Sequence, residues 1–146
     1  MNLEPTDIAY IAAILDAEGT VTIQRQSGRK RTRTPSFQVR VMAVNSDPRL
    51  IYFLLDKVGG RAYSQLPANP KWSRMHRWQL VGPQARELLA VVRPYLILKG
   101  EVADLVMSLP QRSKGYPGSL QTDVLAEQER ITSAVRVLNQ RGRKVV

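Results

Sequence analysis

At Gly19 the apolar residues of this chain change their period. Before it, Ile8, Ile11 and Leu15 recur at three and four, the spacing of one helix face. Ala9, Ala13 and Ala17 recur at four and give a second face of small residues. Thr6 is placed to cap a helix over 6–18, and Gly19 to stop it. After Gly19, Val21 and Ile23 alternate with Thr20, Thr22, Gln24 and Gln26, the two-residue period of a strand with one wet face. The switch confines this part of the chain to a helix running directly into a half-buried strand.

The same reading carries through the rest. Residues 27–35 form a polar, basic turn. Phe37, Val39 and Val41 alternate with Gln38 and Arg40 in a second strand; Ala43 keeps the alternation and Val44 breaks it, which leaves room for a bulge near 42–44. Asp47-Pro48 reads as a cap and first residue of a helix ending at Val58, closed by Gly59-Gly60. Strands follow over 61–66 and 72–81, then a helix over 84–92, a break at Pro94 and helix again over 99–109. The fold class is therefore α+β, in the order αββαββα: a four-stranded antiparallel sheet backed by helices on one face. Residues 110–119, rich in Pro, Gly and Ser, read as a linker to a tail helix over 121–140. The expected organisation is a core over 1–109 and a linker and helical tail over 110–146 of the same domain.

Charge sharpens the functional reading. The net charge is +10, unevenly spread. Residues 1–24 hold Glu4, Asp7, Asp16 and Glu18 and no Lys or Arg, whereas residues 25–81 hold 12 Lys or Arg against Asp47 and Asp56. A clustered basic field is the footprint of a polyanion binder. The sheet face left free by the helices collects Thr22, Gln24, Gln26, Gln38, Arg40, Arg77 and Gln79, together with Arg61, Tyr63 and Gln65 if the third strand keeps its phase, with no carboxylate among them. A twisted antiparallel ribbon fits the major groove, where Arg reads guanine and Gln reads adenine. Arg29, Lys30, Arg31 and Arg33 of the turn read as a clamp on phosphates. Cysteine is absent, which excludes disulfides and thiolate metal sites. No apolar run is long enough to span a membrane, and the N-terminus lacks the layout of a signal peptide. The expected location is cytoplasmic, in a prokaryote or phage, or organellar, and not secreted.

The stretch Ile11-Ala12-Ala13-Ile14-Leu15-Asp16-Ala17-Glu18-Gly19 resembles the signature of the LAGLIDADG homing endonuclease family, in its single-motif homodimeric type. Pro94-Tyr95-Leu96-Ile97-Leu98-Lys99 resembles the family segment that delivers a lysine to the active site, and Leu138-Asn139-Gln140-Arg141-Gly142 the ending of its compact members. Ala13 stands where glycine is common and Glu18 where aspartate is usual; packing and ligand chemistry are kept.

Small residues at interval four let two helices approach closely. With one motif per chain, the second helix has to come from a second copy, so Ala9, Ala13 and Ala17 are the expected dimer interface. Two Glu18 carboxylates then meet near the axis and call for cations between them. Mg²⁺ suits such a site, with waters completing its shell; Mn²⁺ is an equivalent, and Ca²⁺ is expected to bind without supporting efficient cleavage. An acid at a helix C-terminus opposes the macrodipole at about 0.3–1 kcal/mol, so Glu18 is better explained by function than by stability. Asp16 is expected only to orient the turn after the helix. The resemblance adds the backbone carbonyl of Ala17 as a metal ligand, Lys99 beside the scissile phosphate, and Asn45 and Ser46 at the place of a polar, water-holding residue. His76, in phase with Trp78, reads as structural, and Trp72 and Trp78 as packing residues.

The resemblance implies a metal-dependent endonuclease for double-stranded DNA. It would act as a homodimer on a pseudo-palindromic site, cut across the minor groove and serve intron or intein mobility. A non-cleaving DNA-binding regulator and an RNA maturase of the same fold stay open.

Overall fold

The computed structural model describes residues 1–28, 34–111 and 122–141. Helix α1 spans Pro5–Glu18 and leads without a loop into β1 (Gly19–Gln26). Then come β2 (Ser36–Asn45), α2 (Pro48–Val58), β3 (Arg61–Gln65), β4 (Met75–Val81), α3 (Pro83–Val92), a 3-10 turn at Arg93–Tyr95, α4 (Gly100–Met107) and α5 (Thr122–Arg141). The αββαββα order and the α+β class are those expected from the sequence.

Four local readings change. The first helix starts at Pro5 rather than at a Thr6 cap: Pro is pre-set for a first helical residue, and the Glu4 N–H donates to the Asp7 carboxylate at 3.3 Å. Gly19 ends α1 in extended backbone, not in the left-handed region. Glycine is needed there because a Cβ would meet the Leu15 Cα and carbonyl at 2.7 Å. No bulge interrupts β2. Its register is continuous from Gly19↔Ala43 to Gln26↔Ser36 on one side and from Arg40↔Val81 to Asn45↔His76 on the other. Val44 breaks the apolar alternation only because it points to the uncovered face with Met42. Finally, β4 begins at Met75, and Trp72 lies in the preceding turn, 65% exposed, so it is not a packing residue.

The sheet order is β1-β2-β4-β3, antiparallel throughout. Its inner face (Val21, Ile23, Phe37, Val39, Val41, Ala43, Trp78 and Leu80) packs into one core with α1 to α5. Ile11, Ala12, Ile14 and Leu15 turn α1 into that core. Asp47 caps α2 by accepting the Arg49 N–H at 2.9 Å. Hydrogen bonding from the Arg49 side chain, and then from its backbone N–H, holds the Asp47 carboxyl down at about 2. At Gly60, with φ +97°, a Cβ would meet the Gln79 carbonyl at 2.5 Å, so only glycine lets β3 lie beside β4.

Trp78 is the largest fully buried side chain, and its Nε1–H donates to the Gly59 carbonyl at 2.7 Å. Trp78→Ala empties the middle of the core and is expected to cost about 3–5 kcal/mol, read as a lower urea midpoint at unchanged slope.

Candidate active site and nucleic-acid interface

Glu18 is the last residue of α1, and its side chain is exposed. Ala9, Ala13 and Ala17 are exposed along the side of α1 that faces away from the core. The closing carbonyls of a helix lack intrahelical donors, and that of Ala17 is one of them. An exposed carboxylate beside such a carbonyl fits a hydrated Mg²⁺, which takes one or two carboxylates and keeps several waters. Among the described residues no three His, Asp or Glu converge on a common point, so one chain alone does not cage an ion.

Lys99 comes to the same helix end from a distant part of the sequence. Its Nζ donates to the Asp16 backbone carbonyl at 2.8 Å. The Asp16 carboxylate accepts the backbone N–H groups of Ile97 at 2.8 Å, Leu98 at 3.2 Å and Lys99 at 3.0 Å. The motif acid expected only to orient the turn after α1 is thus the hub of the hydrogen bonds that hold the turn at 97–99. An acid two residues before a helix end has no helical use, but its partners lie too far along the chain to be paired by spacing.

Beside this end, Gly19 pairs with Ala43, which brings the end of β2 alongside the α1–β1 junction. Asn45 and Ser46 follow there. The Asn45 Oδ1 accepts the Asp47 N–H at 2.8 Å, so it turns toward its own backbone; Ser46 is exposed. Among the described residues neither is hydrogen-bonded to Glu18 or Lys99. His76 lies on the inner parity of β4, opposite Asn45 and Ser64.

The outer face of the sheet is uncovered by helices. Thr22 pairs with Arg40 and Gln24 with Gln38, and Gln26 ends β1 opposite Ser36. Arg61 pairs with Gln79, Tyr63 with Arg77 and Gln65 with Met75. All ten side chains expected on this face share it. Met42, Val44, Met75 and Val81 share it too and were missed, because apolar residues were assigned inward by type. No Asp or Glu stands on it. The Nε groups of Arg40 and Arg77 are shielded from water and have no hydrogen-bond partner among the described residues. Arg29, Lys30, Arg31 and Arg33 lie outside the described residues.

Neither a family model nor a curated protein matches the sequence. Solved structures match its shape. The homing endonuclease I-CvuI, in complex with its target in the presence of 2 mM Ca, is 22% identical at a TM-score of 0.72, over 91% of this chain and 82% of that one. The archaeal intron-encoded homing endonuclease I-Vdi141I, complexed with DNA, is 12% identical at a TM-score of 0.66, over 93% and 86%. The LAGLIDADG homing endonuclease I-LtrWI, bound to target DNA, is 14% identical at a TM-score of 0.63; the match covers 91% of this chain and 45% of that one. With the element order and sheet order above, these likenesses establish that the chain has the fold of the LAGLIDADG homing endonucleases.

Proposed function

We propose that this chain is a sequence-specific endonuclease for double-stranded DNA, acting as a homodimer on a pseudo-palindromic site and serving intron or intein mobility. One observation carries the reading: an uncovered, acid-free sheet face with Arg40, Arg61 and Arg77 begins at the exposed carboxylate of Glu18. The face supplies donors for a polyanion, and the acid stands at its rim, where a phosphate laid on the face would arrive. That I-CvuI, I-Vdi141I and I-LtrWI were each solved with DNA supports it.

Glu18 and the Ala17 carbonyl would hold the divalent ion, Mg²⁺ or Mn²⁺. When bound, the ion activates water and stabilises the leaving oxygen of a phosphodiester. The residues of this chain do the rest. Ala9, Ala13 and Ala17 bring the second copy close, and its Glu18 completes the acidic pair. Lys99 presents a cation at the same helix end, where negative charge develops on the phosphate. Arg29, Lys30, Arg31 and Arg33 hold backbone phosphates, and the sheet residues from Thr22 to Gln79 read base edges. Asn45 and Ser46 stand at the place of a polar, water-holding residue.

The test is selection of cleaved molecules from a randomised duplex library in Mg²⁺. The expected product is one enriched site with two-fold symmetry, cut only when metal is present, with Ca²⁺ supporting binding alone. Enrichment without cutting, or preference for structured RNA over duplex in competition, would overturn the endonuclease reading. On the selected site, Arg77→Ala is expected to cost about 1–3 kcal/mol of discrimination at one base pair of each half-site. Binding titrations against each single-base variant of the site check it.

A further inference from the structure

We propose that Asp16 is the positioning residue for Lys99: it holds the lysine at both ends and so fixes a cation at the end of α1 that carries Glu18. This rests on the endonuclease reading for its purpose, though not for its geometry.

Lysine is a poor choice for a fixed charge, because its stem is flexible and its ammonium compact. Here both ends of the residue are tied to one partner. The Lys99 backbone N–H donates to the Asp16 Oδ1 at 3.0 Å, and the Lys99 Nζ donates to the Asp16 carbonyl at 2.8 Å. The neighbouring N–H groups of Ile97 and Leu98 donate to the same carboxylate. Those amides precede α4, whose first residues receive no side-chain cap of their own. Asp16 therefore ties down, from another helix, the turn that leads into α4. An acid near the end of α1 is unfavourable for α1, and the ammonium at the Asp16 carbonyl is favourable for it. The two opposed placements cancel locally, and what remains is a rigid joint between α1 and the turn at 96–99.

The joint has an exposed apolar side. Ile97 is 87% exposed and Leu98 75%. With Ala9, Ala13, Asp16 and Tyr95 they line an open groove of about 440 Å³ along α1. Within one chain, a turn that shows two large aliphatic side chains to water is held in place by backbone hydrogen bonds rather than by burial, and in the proposed dimer the second copy lies along the same groove. The conformation of the turn, and with it the reach of Lys99, depends on the one carboxylate. Asp16 itself acts through Lys99 and needs no contact with DNA.

Asp16→Asn keeps the shape and turns one acceptor into a donor that faces backbone N–H groups. Hydrogen exchange on the metal-free protein is the first measurement. The Ile97, Leu98 and Lys99 amides are expected to exchange about 10-fold faster or more, with the amides of β2 unchanged. Labelling with an amine-reactive reagent, read by peptide mass, is expected to modify Lys99 faster in the variant. On DNA, single-turnover cleavage should fall ~10–100-fold, as for supporting residues behind an active group, with affinity kept within about 3-fold. Asp16→Glu retains the charge and loses the three-way geometry, so it should lose a similar factor. In the Lys99→Ala background the Asp16→Asn effect should shrink to under about 2-fold, the signature of two residues acting as one.

Unchanged exchange and labelling would overturn the proposal, as would an Asp16→Asn loss of the same size with and without Lys99. If the wild-type chain cuts no duplex under any metal, the endonuclease reading fails. The exchange and labelling results still decide whether Asp16 holds Lys99.

Discussion

Glu18→Gln is expected to abolish cleavage and leave DNA binding in place. The substitution is nearly isosteric at an exposed position, so the core and the α1–β1 junction keep their packing. What changes is charge. An amide does not replace a carboxylate as the ligand of a hard cation, and the water next to the scissile phosphate loses its activation. The rate should fall about a thousandfold or more, beyond the loss of a single oxyanion donor. Binding should hold or tighten slightly, since removing an acid near a phosphate relieves repulsion. Single-turnover cleavage and a filter-binding titration on the same duplex separate the two. Full-rate cutting by the variant would mean that Glu18 is not the metal ligand.

The second large effect is expected from Ala13→Glu. Ala13 is exposed in the single chain, so the fold should melt at nearly the wild-type temperature. At the proposed two-fold contact the substitution places two like charges face to face where small side chains met. A buried, unpaired charge costs about 3–5 kcal/mol, which weakens association by ~100-fold or more. Sedimentation at micromolar concentration should show a monomer, and cleavage should disappear with the dimer. A variant that remains dimeric and active would remove α1 from the interface.

The element order was legible because each element carries its own period. Val21 and Ile23 set β1, Phe37 to Val41 set β2, and the Asp47-Pro48 pair marked the start of α2. The face expected for β3 followed from parity alone, and Tyr63 and Arg77 stand opposite each other as that parity requires. Parity also explains the misreading at Val44. An apolar residue type does not mark the inner face, and an outward valine in a regular strand has the same sequence pattern as a bulge. Trp72 was misplaced for a related reason: its side chain favours burial, but Asn69 and Pro70 turn the chain first, and the Trp72 N–H closes that turn on the Asn69 carbonyl at 3.0 Å.

At the candidate site, Glu18 and the alanine stripe could be read from local spacing, and Lys99 only from family likeness. The four hydrogen bonds between Asp16 and the turn at 97–99 could not be read at all. They join segments separated by most of the chain, and backbone donors leave no trace in residue type.

The unbroken register of β1, β2 and β4 bears on how such a chain changes over generations. Every outward side chain from Thr22 to Gln38 stands on a strand whose inward neighbours alone are packed in the core. If the face reads DNA as proposed, replacing one outward residue leaves the scaffold standing, so preference for a new sequence can be acquired one position at a time. Met42 and Val44, nearest the junction with α1, have little room for such exchange, since half-buried aliphatic side chains support their neighbours as well as face outward. Drift in recognition is thereby steered to the outer part of each strand, while the part beside Glu18 stays the same.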